Sequence, residues 1–191
     1  MNRKGNRTRK WPIKRKEDIN TIKDMLYPNP RNYALFVLGI NTGYRAIELS
    51  NLRVRDVRYL EAGDTLEVWQ TKTSKYRRVK INAQVHEAIQ RLLDEEKPHD
   101  NEPLFRSRKF NGKLCVETIT RLLRDWCKFA GLQGNFGSHT LRKTWGYHQR
   151  KNNAVPIHIL MVAFGHTTQA QTLNYLCIEM EEVEELFQFE I

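Results

Sequence analysis

Long apolar runs are missing from this 191-residue sequence. No stretch approaches the ~20 residues that span a bilayer, and the basic N-terminus leads into no apolar signal-peptide segment. The chain is therefore expected in the cytoplasm, with no membrane partner. Cysteine is scarce as well: Cys115, Cys127 and Cys177 are odd in number and widely spaced. They lack the paired CxxC spacing of a zinc site and the pattern of a disulfide framework, so reduced, partly buried thiols are expected. Internal repeats and low-complexity segments are also absent.

Acidic residues are absent from positions 1–16, which hold Arg3, Lys4, Arg7, Arg9, Lys10, Lys14, Arg15 and Lys16. Such an arm is expected to stay disordered until it meets phosphates. The last stretch, 177–191, reverses the sign with six glutamates and no Lys or Arg. Over the whole chain 32 Lys and Arg face 22 Asp and Glu, for a net charge of +10. That balance suits a polyanion such as nucleic acid, although ribosomal proteins and binders of anionic membranes share it. The 40% apolar content is enough for one core.

The expected elements are mostly helical. A first helix starts near Glu17 and stops before Pro28-Asn29-Pro30. A second covers Tyr33 to Asn41, where Ala34, Leu35, Phe36, Val37, Leu38 and Ile40 leave no polar face, so it belongs in the core. Gly43 caps it, and a short helix follows around Ala46 to Leu49. From Val54 to Ile81 the composition turns strand-like, with a turn at Ala62-Gly63-Asp64 and alternation in Leu66-Glu67-Val68. Helical stripes resume with Val85, Ile89, Leu92 and Leu93, and again with Ile119, Leu122, Leu123 and Trp126. The 97–114 stretch, carrying Pro98, Pro103 and Gly112, reads as a mobile loop. Shorter helices begin near Thr140, Pro156 and Thr168. The fold class is α+β: a mainly helical domain over residues 17–176 with a small three-stranded antiparallel sheet, preceded by the basic arm (1–16) and followed by the acidic tail (177–191).

Several side chains in this frame can do phosphate chemistry. His139 and Arg142 stand three apart and share a helix face, but an HxxR pair is common by chance, and a capping histidine beside a surface arginine explains it equally. Arg45 follows Gly43, with Glu48 one turn on to hold it. A guanidinium suits phosphate because its planar fork donates two bonds and keeps its charge, yet an Arg–Glu surface pair is the simpler explanation of that segment alone. Lys72 lies in Thr71-Lys72-Thr73-Ser74-Lys75, the turn expected between the second and third strands. With an ordinary pKa of about 10.4 it is protonated at neutral pH and can deliver a proton to a leaving alkoxide. Lys75, Arg77 and Arg78 beside it suit phosphate contacts. Tyr175, in TLNYL, needs a nearby base or a strong positive field to attack phosphorus, since a free phenol has a pKa of about 10; packing is the commoner role for such a residue.

Taken in order, Arg45 in NTGYRAIEL, Lys72 in a β-turn, His139 and Arg142 in SHTLRKT, His166 in AFGHTT and Tyr175 nine residues later resemble the catalytic domain of the tyrosine recombinases, the phage integrase family. The resemblance runs from about Lys16 to Leu176. It implies a site-specific recombinase in which Tyr175 forms a 3′-phosphotyrosyl link, Arg45 and Arg142 hold the non-bridging oxygens, His139 accepts the phenol proton, Lys72 is the general acid and His166 donates a hydrogen bond. It implies no metal or other cofactor. Lys143 stands where many members have histidine and joins Lys75, Arg77 and Arg78 as an expected DNA contact.

The partners implied are double-stranded DNA and further copies of the chain, in a tetramer on DNA coupled through the C-terminal segment, where Met180, Val183, Leu186 and Phe187 follow helical spacing. Most members carry a separate core-binding domain ahead of the catalytic one. A chain starting at this arm is expected to be a naturally minimal recombinase, like the fimbrial inversion switches, or a truncated form beginning at an added methionine. Two other functions fit parts of the pattern: a DNA relaxase resembling type IB topoisomerases, and a non-catalytic DNA-binding regulator, which has no need of Tyr175.

Overall fold

The helix at the centre of the domain starts at Pro30, three residues ahead of the expected Tyr33. Asn29 accepts from the Asn32 amide at 3.1 Å and Pro30 fills the first turn, where a missing N–H is harmless. This helix, α2 (Pro30–Thr42), ends at Gly43 in the left-handed conformation (φ 59°). The computed structural model describes residues 9–70, 75–108, 112–178, 183–185 and 187–188. Ala34, Leu35, Phe36, Val37, Leu38 and Gly39 are all buried, because α4 (Ala83–Glu96), α6 (Thr140–Lys151) and α1 (Lys16–Leu26) pack around α2.

Each surrounding helix presents one apolar stripe. Ile19, Ile22 and Leu26 of α1 and Val85, Ala88, Ile89, Leu92 and Leu93 of α4 are buried, and Ile119, Leu123, Trp126 and Cys127 do the same on α5 (Val116–Phe129). Capping fixes where two of them begin. Asn82 accepts from Val85 N at 3.0 Å to start α4, and Thr168 accepts from Gln171 N at 3.1 Å to start α8 (Gln169–Leu176). Two shorter helices are α3 (Ala46–Asn51) and α7 (Ile157–Phe164). Pro156 lies at the cap of α7, one residue ahead of the first turn.

The sheet has two antiparallel strands among the described residues, β1 (Thr65–Gln70) and β2 (Lys75–Lys80), in register from Thr65↔Lys80 to Gln70↔Lys75. The expected third strand is absent there. Val54–Asp56 forms a single 3-10 turn, closed by Arg53 N donating to Asp56 Oδ2 at 2.8 Å. The reason is periodicity: Val54 and Val57, three apart, are both fully buried, which suits a helical turn and not an alternating strand. The described residues of the 97–114 stretch, 97–108 and 112–114, are not loose either. Val54 N donates to Glu102 O, Leu104 N to Leu52 O and Leu114 N to Phe105 O at 2.8–3.1 Å, and Leu104 and Phe105 are buried.

The arm also differs from expectation over its described part. Trp11 N donates to Asn135 O at 2.9 Å, Ile13 N to Thr144 Oγ1 at 2.9 Å, and Ile13 is buried in the core. Pro12 and Ile13 are both buried, and the Ile13 backbone is bonded on both sides, its carbonyl lying 3.0 Å from His148 Nε2, which seats residues 9–15.

Two apolar clusters result. The larger gathers α1 to α5, the sheet and Leu141; the smaller consists of Tyr147, Leu160, Phe164, Leu176 and Ile178, with Trp145 and Tyr175 packed on it. Gly146 sets the spacing within the smaller one. A Cβ there would stand 2.5 Å from Phe164 Cζ and 2.7 Å from Leu176 Cδ2, so only glycine lets α7 and α8 approach α6 this closely.

Candidate active site

The site forms where the turn after α2 meets the start of α6 and the α7–α8 pair. Gly43 shapes that turn twice over. Its φ of 59° favours glycine, and a Cβ there would stand 2.5 Å from the Trp145 ring. Arg45 follows as the cap of α3, its backbone N–H donating to Glu48 Oε2 at 2.7 Å and its Nη1 to Glu48 Oε1 at 2.8 Å. Glu48 is buried and also receives Arg77 Nη1 at 3.5 Å. One carboxylate thus aims two guanidiniums.

Arg142, in the first turn of α6, is 3% exposed. Its Nη1 donates to Gly43 O at 2.6 Å and its Nη2 to Phe164 O at 3.1 Å, so it ties the two sides of the domain together. Burial, with Arg77 adding to it, pulls its pKa down to about 9, which leaves it charged at neutral pH. Cations thus outnumber Glu48 at this point. A phosphate placed here would supply the missing negative charge.

His139 caps α6, and its Nδ1 lies 3.3 Å from Tyr175 Oη. Burial lowers its pKa below the ordinary 6.5, reinforced by Lys143, Arg142 and Arg45. The ring is therefore neutral at physiological pH and able to accept a proton. His166 follows Gly165, the left-handed cap of α7, stacks on Phe164 at 5.3 Å and meets the Tyr175 ring edge-on at 5.2 Å. Its Nδ1 is 3.0 Å from Thr172 Oγ1, which fixes the ring's orientation.

Tyr175 sits on α8 beside an open cleft of ≈ 440 Å³ lined by His166, Ala170, Gln171, Asn174 and Tyr175. Burial pushes its pKa up, opposed by Arg142, Arg45 and Arg77. Any phosphorus approaching its oxygen enters the field of those three arginines.

Arg45, His139, Arg142, His166 and Tyr175 thus converge, while Lys72 falls outside the described residues, in the link between β1 and β2. The residues expected on DNA are divided. Arg78 is exposed and pairs with Glu67 at 2.8 Å, and Lys75 is seen through its backbone pairing with Gln70. Arg77 and Lys143 lie inside instead. Arg77 donates to Gly43 O at 2.9 Å and Thr42 O at 3.2 Å; Lys143 is buried and donates to the Tyr175 carbonyl. Thr172 and Phe164 were not anticipated. The only signal for Thr172 is its place one helical turn before Tyr175.

Residues 12–182 match the phage integrase family. The chain belongs to that family. Among relatives of this phage integrase domain, a probable integrase/recombinase YoeC of Bacillus subtilis (strain 168) is 32% identical over 171 residues, 88% of this chain and 90% of that protein. A tyrosine recombinase XerC of Caldanaerobacter subterraneus is 28% identical over 159 residues, 81% of this chain but 43% of that protein. The crystal structure of XerA recombinase superposes with a TM-score of 0.74 at 25% identity, covering 93% of this chain and 63% of that one. The chain is thus a tyrosine recombinase catalytic domain, with the mainly helical fold and small antiparallel sheet of its structural neighbours. It spans nearly all of one relative and about half of others.

Proposed function

We propose that this chain exchanges DNA strands at a specific site through a phosphotyrosine. Tyr175 Oη attacks the scissile phosphorus as its proton passes to His139 Nδ1; the P–O5′ bond breaks and a 3′-phosphotyrosyl link forms. Lys72 delivers a proton to the departing 5′-oxygen. Arg45 and Arg142 bind the non-bridging oxygens, on which charge gathers in the transition state, and His166 donates a further hydrogen bond. A 5′-hydroxyl from the partner strand then reverses the steps. The phosphotyrosine conserves the energy of the phosphodiester, so rejoining draws on no nucleotide. The observation that carries this reading is the 3.3 Å approach of Tyr175 Oη to His139 Nδ1 within the field of the arginines.

A nicked suicide duplex tests it. The parent chain is expected to trap a covalent adduct, whereas Tyr175→Phe binds the same DNA and traps none. An adduct that persists in the variant defeats the assignment. Relaxation of supercoiled DNA without sequence preference would point to a relaxase instead.

Exchange between two sites calls for several copies on DNA, and the acidic C-terminal segment is the proposed coupling element, docking on a neighbouring protomer in a tetramer. Val183 and Phe187 are exposed, which supports this, while Glu185 pairs with Lys151 of its own domain and would exchange that contact on docking. Removal of residues 179–191 is expected to abolish assembly on DNA while single-site cleavage continues; unchanged assembly by native gel would sink the idea. The proposed place of action is DNA in the cytoplasm. Among the described residues no helix is long and apolar enough to cross a membrane.

A further inference from the structure

At the far end of α2 from the active site, a second cluster of arginines surrounds a cavity of ≈ 420 Å³ lined by Arg31, Glu96, Arg106, Ser107 and Arg108. Arg31 forms its floor and is 6% exposed. Its Nε and Nη2 donate to Asn32 Oδ1 at 3.1 and 2.7 Å, and its Nη1 to the Arg106 carbonyl at 2.7 Å. A guanidinium carries five N–H groups, so two are left over. No carboxylate forms an ion pair with Arg31 among the described residues. Burial lowers its pKa, Arg108 pushes the same way, and Glu96 opposes them. Glu102 is taken up elsewhere, its Oε1 accepting from Arg106 Nη1 at 3.0 Å and its Oε2 from the His99 amide at 3.1 Å.

A buried cation without a paired anion is costly, and like charges crowded beside it add to the cost. The described backbone on either side is nonetheless held, with Ser107 N donating to Gly112 O at 2.7 Å and Leu114 N to Phe105 O at 2.9 Å. The fold therefore keeps an unbalanced positive pocket in place. An anion with several acceptor oxygens would satisfy the remaining N–H groups and balance the charge.

We infer that this pocket is a second phosphate-binding site, which holds a backbone phosphate of the duplex engaged by the active site. At about 1.5 Å per residue, Arg31 stands roughly 18 Å along α2 from Gly43, whose carbonyl holds Arg142. That distance is the rise of about five base pairs at 3.4 Å each. One duplex thus reaches both ends of α2, and the far pocket anchors the DNA while the near one performs the chemistry. The inference rests on DNA being the substrate of the first site.

The test is duplex binding by fluorescence anisotropy over a range of salt, comparing the parent with Arg108→Ala and Arg31→Met. Arg108 is exposed, so its variant keeps the fold even if Arg31→Met does not. Losing one phosphate contact is expected to weaken binding roughly tenfold at low salt and to flatten the slope of log K against log salt by about 0.9. A scan of neutral methylphosphonates through the duplex should show one position, several base pairs from the scissile phosphate, where the parent loses affinity and Arg108→Ala does not. An unchanged slope, or affinity lost evenly across the scan, overturns the site. Thermal stabilisation by inorganic phosphate with an unchanged DNA slope would make it a free-anion pocket and overturn the DNA assignment. Covalent adduct formation by the parent is scored in the same samples, so failure of the strand-exchange reading is seen separately as absence of adduct.

Discussion

The large cluster beneath α2 and the small one beneath α8 hold different halves of the proposed catalytic set. Arg45, Arg77 and Glu48 are rooted in elements packed on the large cluster. Tyr175 and His166 ride on α7 and α8, which are held by five buried residues, Tyr147, Leu160, Phe164, Leu176 and Ile178. Groups that stabilise charge work best when fixed beforehand, and a large core provides that. A nucleophile that becomes bonded to DNA has to move with it, and an element with few buried contacts opens at low free-energy cost. Arg142 spans the divide, with one donor on Gly43 O and another on Phe164 O.

The largest expected effect breaks the comparison at that tie. Arg142→Ala and Arg45→Ala should each slow cleavage of a suicide substrate by at least about a hundredfold, since one lost transition-state donor costs about 3–4 kcal/mol. Arg142→Ala should also lower the melting temperature, because Phe164 O loses its side-chain donor, at about 1–3 kcal/mol, and Gly43 O keeps only Arg77. Arg45, a third exposed, should leave it nearly unchanged. Equal thermal shifts in the two variants would deny Arg142 its bridging role.

A matched pair of cavities sharpens the difference in stability. Leu38→Ala in α2 should cost about 2–5 kcal/mol of global stability, read from denaturant midpoints. Leu176→Ala, the same truncation in the small cluster, should instead speed hydrogen exchange mainly across 157–178 and reduce adduct yield. Uniform loss of protection over the whole domain would mean that the two clusters unfold as one.

The smallest effect is set by pH. Burial and nearby cations hold His139 and His166 below 6.5, so the unfolded chain binds protons more readily than the folded one. Stability therefore rises with pH through the window below 6.5 and levels off above it. Cleavage should follow the same direction, because only neutral His139 can take the phenol proton. His139→Gln should remove the acid limb of the rate profile; an unaltered limb would assign it to another group.

The helices were legible because their signals are local. Gly43 and Thr168 mark boundaries by capping chemistry, and the stripes on α1, α4 and α5 mark the faces that bury; Asn29, read as part of a break, is instead the cap of α2, and Asn82 as the cap of α4 went unread. The third strand was misread because Val54 and Val57 are β-branched, a composition that suits strands, whereas their spacing suits a turn. The described part of the 97–114 stretch was misread because backbone bonds to distant residues such as Leu52 and Val54 leave no trace in local composition. The inward bonds of Arg77 and Lys143, both expected on DNA, were hidden from the sequence for the same reason. Nothing adjacent in the chain shows that Gly43 O awaits one and the Tyr175 carbonyl the other.

The order Arg45, Lys72, His139, Arg142, His166, Tyr175 determined by itself which chemistry the chain carries, because residue type and spacing set what each group can donate, accept or attack. Only the tertiary structure decided which of these groups meet. His139 Nδ1 reaches Tyr175 Oη from 36 positions away, and the charges of Arg45, Arg77 and Arg142 become one field only when α2, α3, β2 and α6 pack. Arg31, Arg106 and Arg108 were likewise unremarkable basic residues until the fold gathered them around one cavity. The physical reason is common to all of these cases: a side chain's chemistry is intrinsic, but its charge balance and its partners depend on burial, which long-range packing alone creates.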